Sequence, residues 1–379
     1  MIRWLLPAVA LGCFALGLLT WVRTPDWLSW KFSLLAGEFG HWLAFAALAA
    51  GLAAWGWRGE HVVLGGVALV LGLAGAILLL RPAWQAARLG AALPAMLRTH
   101  FPHGRAKAQP FSLPELFLGR DPKPVLPRTL SVSDGLPLDF YPASVAPGSR
   151  PAPCVVVIHG GGWDSGDRTQ LPALNHWLAR QGYAVAAVSY RLAPTFKWPA
   201  QREDVLAAVA FLKSRAGELG LDPTRFVLLG RSAGGQIAQV TGYIAGDAAI
   251  RGVVGLYAPS DLVFGYVNTH ENDMLRSPAL MRQFLGGTPD TARANYESAS
   301  ALNHVGPRTP STLLLHGAND AIVWDRHSER LDARLAEFGV PRVFVHLPWA
   351  THAFEYNLHG PGGQLTTHAL EWFLADVTR

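Results

Sequence analysis

The chain has 379 residues, room for one large domain or for two modules. Its mean hydropathy is positive and only 16% of its residues are charged, departures that come mostly from the first 80 residues and point to two modules. The net charge of +5 is modest and the Lys and Arg residues are scattered, which disfavours a nucleic-acid patch or a polybasic lipid switch; the two cysteines, Cys13 in an apolar run and Cys154 at the start of a predicted strand, suit neither a mutual disulfide nor a metal cluster.

Residues 1–98 read as a membrane region. Three apolar stretches, 4–22, 39–57 and 61–80, are each about 20 residues long, which at about 1.5 Å per residue matches the hydrocarbon layer of a bilayer. Trp4, Trp21, Trp42, Trp55, Trp57 and Trp84 gather at their ends, as an aromatic belt would place them. The first stretch alone would pass for a signal peptide, but two more follow it. Arg58-Gly59-Glu60 reads as a tight turn joining the second and third spans, and Glu38 and His41 sit at the head of the second, where polar side chains snorkel to the interface. Arg3 and Arg58 lie on one side, against Arg23, Lys31, Arg81, Arg88 and Arg98 on the other. The positive-inside rule thus favours a cytoplasmic catalytic domain, in a bacterial inner membrane. Residues 81–98 turn amphipathic, with Trp84, Leu89, Leu93 and Leu97 against Arg88 and Arg98. They read either as a helix lying along the bilayer or as a surface helix or tail of the third span. Residues 99–127 are proline-rich and read as a linker.

From residue 128 to 379, short apolar runs alternate with helical patterns. An antiparallel pair is expected at 129–132 and 137–141, then strands at 154–159, 184–190, 225–229, 252–257, 312–316 and 342–347. Near-continuous Val, Ile and Leu in these runs imply burial on both faces, hence an α/β fold with a mostly parallel eight-stranded sheet between helices. The strand at 154 runs into His159-Gly160-Gly161-Gly162-Trp163, whose glycines let backbone N–H groups turn inward, as an oxyanion hole requires. One βαβ unit later comes Gly230-Arg231-Ser232-Ala233-Gly234-Gly235, a serine at a strand-to-helix corner whose hydroxyl would stand above the sheet edge.

An acid and a base should follow that serine in the order Asp, His. Asp320 lies in the loop after the seventh strand and His352 after the eighth, so both project at the same sheet edge as Ser232. Asp261 and Asp325 are the fallback acids and His359 the fallback base, while His346 reads as a strand residue and His316 as structural. Residues 262–305 are the longest insertion and are expected to form a small lid, with Trp163, Trp198, Trp324 and Trp349 as candidate pocket walls.

Together with Tyr190-Arg191-Leu192-Ala193-Pro194 and Trp198-Pro199-Ala200, these motifs resemble the hormone-sensitive-lipase and bacterial acetyl-esterase branch of the α/β-hydrolases over roughly residues 130–378. The resemblance implies an oxyanion hole from the amides of Gly161, Gly162 and Ala233, and ester hydrolysis through an acyl-enzyme. It also makes 190–199 a packing and loop motif. The membrane region falls outside it, and Trp349-Ala350-Thr351 stands where the family usually carries glycine. A membrane-anchored serine esterase is therefore expected, acting without cofactor or metal on a small-molecule or lipid ester. Acyl transfer on the same triad and a non-catalytic ligand-binding module are the alternatives.

Overall fold

The computed structural model describes residues 2–379 other than Glu60, Pro122, Ser133, Asp134 and Pro147, and leaves out the side chains of Ile2 and Arg3. Three helices open the chain: α1 (Ile2–Leu18), α2 (Trp27–Gly56) and α3 (Val62–His100). By length and composition α2 and α3 are long and apolar enough to cross a membrane, while α1 is shorter than the expected first span. They pack through their smallest residues. A Cβ on Gly40 would lie 2.4 Å from the Leu79 carbonyl oxygen, and one on Gly72 2.6 Å from that of Ala47, so the backbones approach as only glycine allows.

Two further boundaries differ from the expected ones. α2 starts three turns before residue 39 because Asp26 caps it: its Oδ1 accepts hydrogen bonds from the N–H groups of Leu28 (2.9 Å) and Ser29 (3.0 Å). α3 runs unbroken through Pro82 and Pro94, so 81–98 is the tail of the third helix rather than a separate interfacial one. Its Ala86, Leu93 and Leu97 are buried with Val155, Val157 and Leu365 of the following domain, and this packing outweighs the local cost of the prolines. The turn between α2 and α3 closes with His61 N–H on the Arg58 carbonyl (2.6 Å), Glu60 of that expected turn lying outside the described residues.

The domain that follows is built on one eight-stranded sheet: β1 (Arg128–Ser131), β2 (Pro137–Tyr141), β3 (Ala152–Ile158), β4 (Ala184–Val188), β5 (Leu221–Arg231), β6 (Ile250–Leu256), β7 (Ser311–Gly317) and β8 (Arg342–Leu347). Their order is β1-β2-β4-β3-β5-β6-β7-β8; β2 pairs antiparallel with β1 and β4, and all other pairs are parallel. The pleat divides the core between two faces. Val156 and Ile158 pack with the helices Ala200–Ser214 and Ala233–Ile244, whereas Val155 and Val157 pack with the α3 tail and the C-terminal helix Pro361–Val377. Helices Leu262–Val267, Ser277–Leu285 and Arg293–Ala299 fill the insertion between β6 and β7.

The stretch read as a linker is strapped to the C-terminal helix. The N–H groups of His103, Lys107 and Ser112 donate to Asp376 (2.8 Å), Glu371 (3.1 Å) and Gln364 (2.7 Å), and residues Leu113–Leu118 form a short helix. Glu38 and His41, expected to snorkel, are buried instead. Glu38 Oε2 accepts the Gly362 N–H (3.0 Å) at the start of the C-terminal helix, and His41 meets the Phe117 ring edge-on.

Candidate active site

β5 ends at Arg231, and Ser232 turns the chain into the next helix with φ of 50° and ψ of −123°, a conformation that costs a non-glycine residue of the order of 1–3 kcal/mol. The flanking glycines are required by contact. A Cβ on Gly230 would sit 2.1 Å from the Gly234 carbonyl oxygen, and one on Gly234 2.2 Å from that of His159. Strand, serine and helix therefore close into a corner that presents the serine at the carboxyl edge of the sheet. Gly161 and Gly162, at positive φ after β3, line the same cleft as Ser232 and His352. Among the described residues, no backbone carbonyl accepts the N–H of Gly161, Gly162 or Ala233. His159 supports this loop: its ring stacks on Tyr190 at 4.2 Å, its Nδ1 lies 2.7 Å from the Gly160 carbonyl oxygen, and burial holds its imidazole below the usual range.

Asp320 is fully buried. Its Oδ1 accepts the N–H groups of Ile322 and Val323 (2.9 Å each), and its Oδ2 lies 2.6 Å from His352 Nδ1 and 3.3 Å from His316 Nε2. Burial by itself would raise the carboxyl, but His352 and His316 outweigh it and hold Asp320 well below the carboxylate range. His316 is fixed in turn by Ser328 Oγ (2.8 Å) and the Val323 carbonyl (2.9 Å), so it braces the acid. The fallback residues are occupied elsewhere. Asp261 caps Leu262–Val267 and pairs with Arg330 (2.7 Å), Asp325 pairs with Arg23 and His346, and His359 pairs with Glu115 (2.7 Å). Asp325, Glu329 and His346 bring one ligand atom each within 4.8 Å, a spacing a metal ion could use, but Arg23 and Arg326 already neutralise the two carboxylates.

The motif residue Arg231, given no role of its own in the sequence analysis, anchors a cluster that sequence reasoning missed. It is buried and donates to Glu355 Oε1 (2.9 Å), which also accepts the Tyr257 hydroxyl (2.5 Å). Tyr257 packs its ring 4.2 Å from that of His352, and burial beside Glu355 pushes its phenol well above the usual range. A cation buried under Ser232 with its partner Glu355 just beyond His352 ties the serine corner to the His352 loop.

The four tryptophans divide. Trp163 and Trp324 line an apolar chamber with Leu262, Phe264 and Met281; the chamber shares Leu275, Leu280 and Ile322 with the cleft of Ser232. Trp198 and Trp349 line neither. Trp198 is buried, donating to Ser298 Oγ (3.0 Å) and meeting Phe284 edge-on, so it fastens the 190–199 loop to the insertion. Trp349 is buried where the His352 loop meets α2: a Cβ on Gly37 would stand 3.7 Å from its ring. The residue that replaces the usual glycine is thus packed on the helical region.

A family model described as BD-FAE matches residues 138–335, just over half of the chain; the match includes Gly161, Ser232 and Asp320 and stops before His352. The chain is similar to Esterase LipC of Mycobacterium tuberculosis, at 28% identity over 242 residues, 61% of this chain and 60% of that protein. It is also similar to Esterase LipQ of the same organism, at 28% over 220 residues, 56% of this chain and 52% of that protein; the chain spans 60% or less of either relative's length. Among solved structures it is similar to EstE1, a thermostable carboxylesterase cloned from a metagenomic library, with TM-score 0.56, 20% identity, 78% of this chain and 98% of that one covered. With the sheet order above, this likeness shows the α/β-hydrolase fold.

Proposed function

The chain belongs to the BD-FAE family, and from that premise we propose that it is a membrane-anchored serine hydrolase of carboxylic esters. The observation that carries the reading is the His352–Asp320 pair at 2.6 Å, on loops that open into the cleft holding Ser232. His352 Nε2 takes the proton of Ser232 Oγ as the oxygen attacks the ester carbonyl carbon, and Asp320 holds the imidazole tautomer and stabilises the imidazolium. The N–H groups of Gly161, Gly162 and Ala233 receive the tetrahedral oxyanion, a contribution on the order of 10²–10³ in rate per donor. His352 then returns the proton to the departing alkoxide, leaving an acyl-serine. Water attacks that acyl group by the same steps in reverse, releasing the acid and restoring the serine. The esterase names of the relatives and the apolar chamber beside the cleft support this chemistry.

The anchoring rests on α2 and α3, both of spanning length, and on the apolar side chains they turn outward, Val63 at 81% and Ile77 at 71% exposure. The cations Arg23, Lys31, Arg81, Arg88 and Arg98 favour the cytoplasmic side for the hydrolase domain. A fluorophosphonate probe tests the chemistry. Wild type labels and Ser232→Ala does not; an unlabelled wild type, or equal labelling of the variant, overturns the esterase reading. A carboxy-terminal alkaline phosphatase fusion tests the side, and strong activity overturns the cytoplasmic placement.

A further inference from the structure

The catalytic cleft has one wall that does not come from the hydrolase domain. Trp27 and Trp30, on the first turn of α2, line it together with Gly161, Ser232 and His352. The two indoles meet edge-to-face at 5.5 Å, and Trp30 Nε1–H is buried with no partner among the described residues. The turn before them is fixed to the loop that carries the catalytic acid: Arg23 pairs with Asp325 Oδ1 (2.5 Å), and Asn319 Nδ2 donates to the Thr20 carbonyl (2.7 Å).

The depth of this wall follows from the helices. Arg81 donates to the Thr20 carbonyl and covers the Trp21 ring at 3.7 Å, and Ser33 Oγ donates to the Leu19 carbonyl, so Trp21, Ser33 and Arg81 share one level. From Val62 to Arg81 α3 rises about 30 Å, the thickness of the hydrocarbon layer. That level is then the edge of the hydrocarbon, and Trp30 and Trp27 stand about 4.5 Å and 9 Å beyond it, in the headgroup layer. Leu28 at 64% and Phe32 at 42% exposure continue an apolar surface from this entry point.

We propose that Trp27 and Trp30 are substrate-binding residues, and that the ester this site takes is an acyl ester dissolved in the bilayer, whose chain passes from the lipid along the first turn of α2 to Ser232. This rests on the esterase and membrane readings above. The full chain is reconstituted in phosphatidylcholine vesicles and given p-nitrophenyl palmitate in the bilayer and p-nitrophenyl acetate in the buffer. In wild type the bilayer ester is preferred, and in Trp27→Ala/Trp30→Ala the ratio of the two kcat/KM values falls by roughly tenfold or more, with Trp27→Phe/Trp30→Phe recovering most of it. A ratio within about twofold of wild type, an equal loss on both esters, or a wild type that prefers the acetate overturns this inference and leaves the esterase reading standing. A wild type that cleaves neither ester and takes no fluorophosphonate overturns both.

Discussion

The two halves of this molecule sort the same kinds of residue in opposite ways. In the sheet domain the buried positions hold large side chains, Phe140, Phe226, Phe373 and the leucines of β5 and β7 among them. In the helical region many of the buried positions are small, Ala36, Ala44, Ala47, Ala68, Gly40 and Gly72 among them, while Trp4, Leu52, Val63, Val70 and Ile77 face outward. The first arrangement is driven by removing apolar area from water. The second instead brings backbones close enough to make dense contacts, the packing that suits the membrane anchor proposed above. The cleft that holds Ser232 lies where the two constructions meet, with Trp27 and Trp30 of α2 in its lining.

That contrast can be broken by substitutions, beginning on the catalytic side. Asp320→Asn keeps the shape of the buried acid but not the charge that orients His352, so kcat for p-nitrophenyl acetate should fall by about 10³–10⁴ with the fold intact by circular dichroism. Shrinking a sheet residue should hurt where shrinking an outward helical one does not: Leu228→Ala, fully buried in β5, should cost about 2–5 kcal/mol in chemical unfolding. In the helical region the sign reverses. Gly72→Leu forces a side chain into the backbone of Ala47 and Gly51 and should cost about 1–3 kcal/mol in detergent, whereas Ile77→Ala should stay within about 0.5 kcal/mol. Equal sensitivity of the two regions to shrinkage would sink the comparison.

A further test uses His327, whose imidazole burial, with His316 nearby, lowers to about 3. The unfolded chain then takes up the proton first as pH falls. Its contribution is complete well above about 6.5 and is lost on acidification toward 3, on the order of 1 kcal/mol by pH 5.5. Unfolding midpoints measured from pH 7.5 to 5.5 should fall less steeply in His327→Leu than in wild type.

Most of the sheet was legible because its strands are short runs of Val, Leu and Ile at positions buried on both faces. β5 is the exception: it begins at Leu221, ahead of the expected 225, because residues on either side of Asp222 and Pro223 pair with β3 across a register shift. The order Ser232, Asp320, His352 was legible because all three follow strand ends. The buried set of Arg231, Glu355 and Tyr257 was not, since its members lie 124 and 98 residues apart and none shows a local signal. The early start of α2 did have one, the Asp26–Ser29 cap, hidden behind a mixed segment with Ser29, Lys31, Ser33 and Glu38. The role of Trp349 could not be read from its neighbours, because the helix it packs on lies more than 300 residues earlier.

The hydrogen bond between Gly362 and Glu38 also sets a schedule. Its partners are 324 residues apart, so at about 5–20 residues per second roughly 16–65 s separate their appearance during synthesis. Through that interval the first turns of α2 exist without the domain that covers them, and Glu38 waits without its amide. That contact of α2 with the C-terminal helix therefore cannot form until 324 further residues have been made.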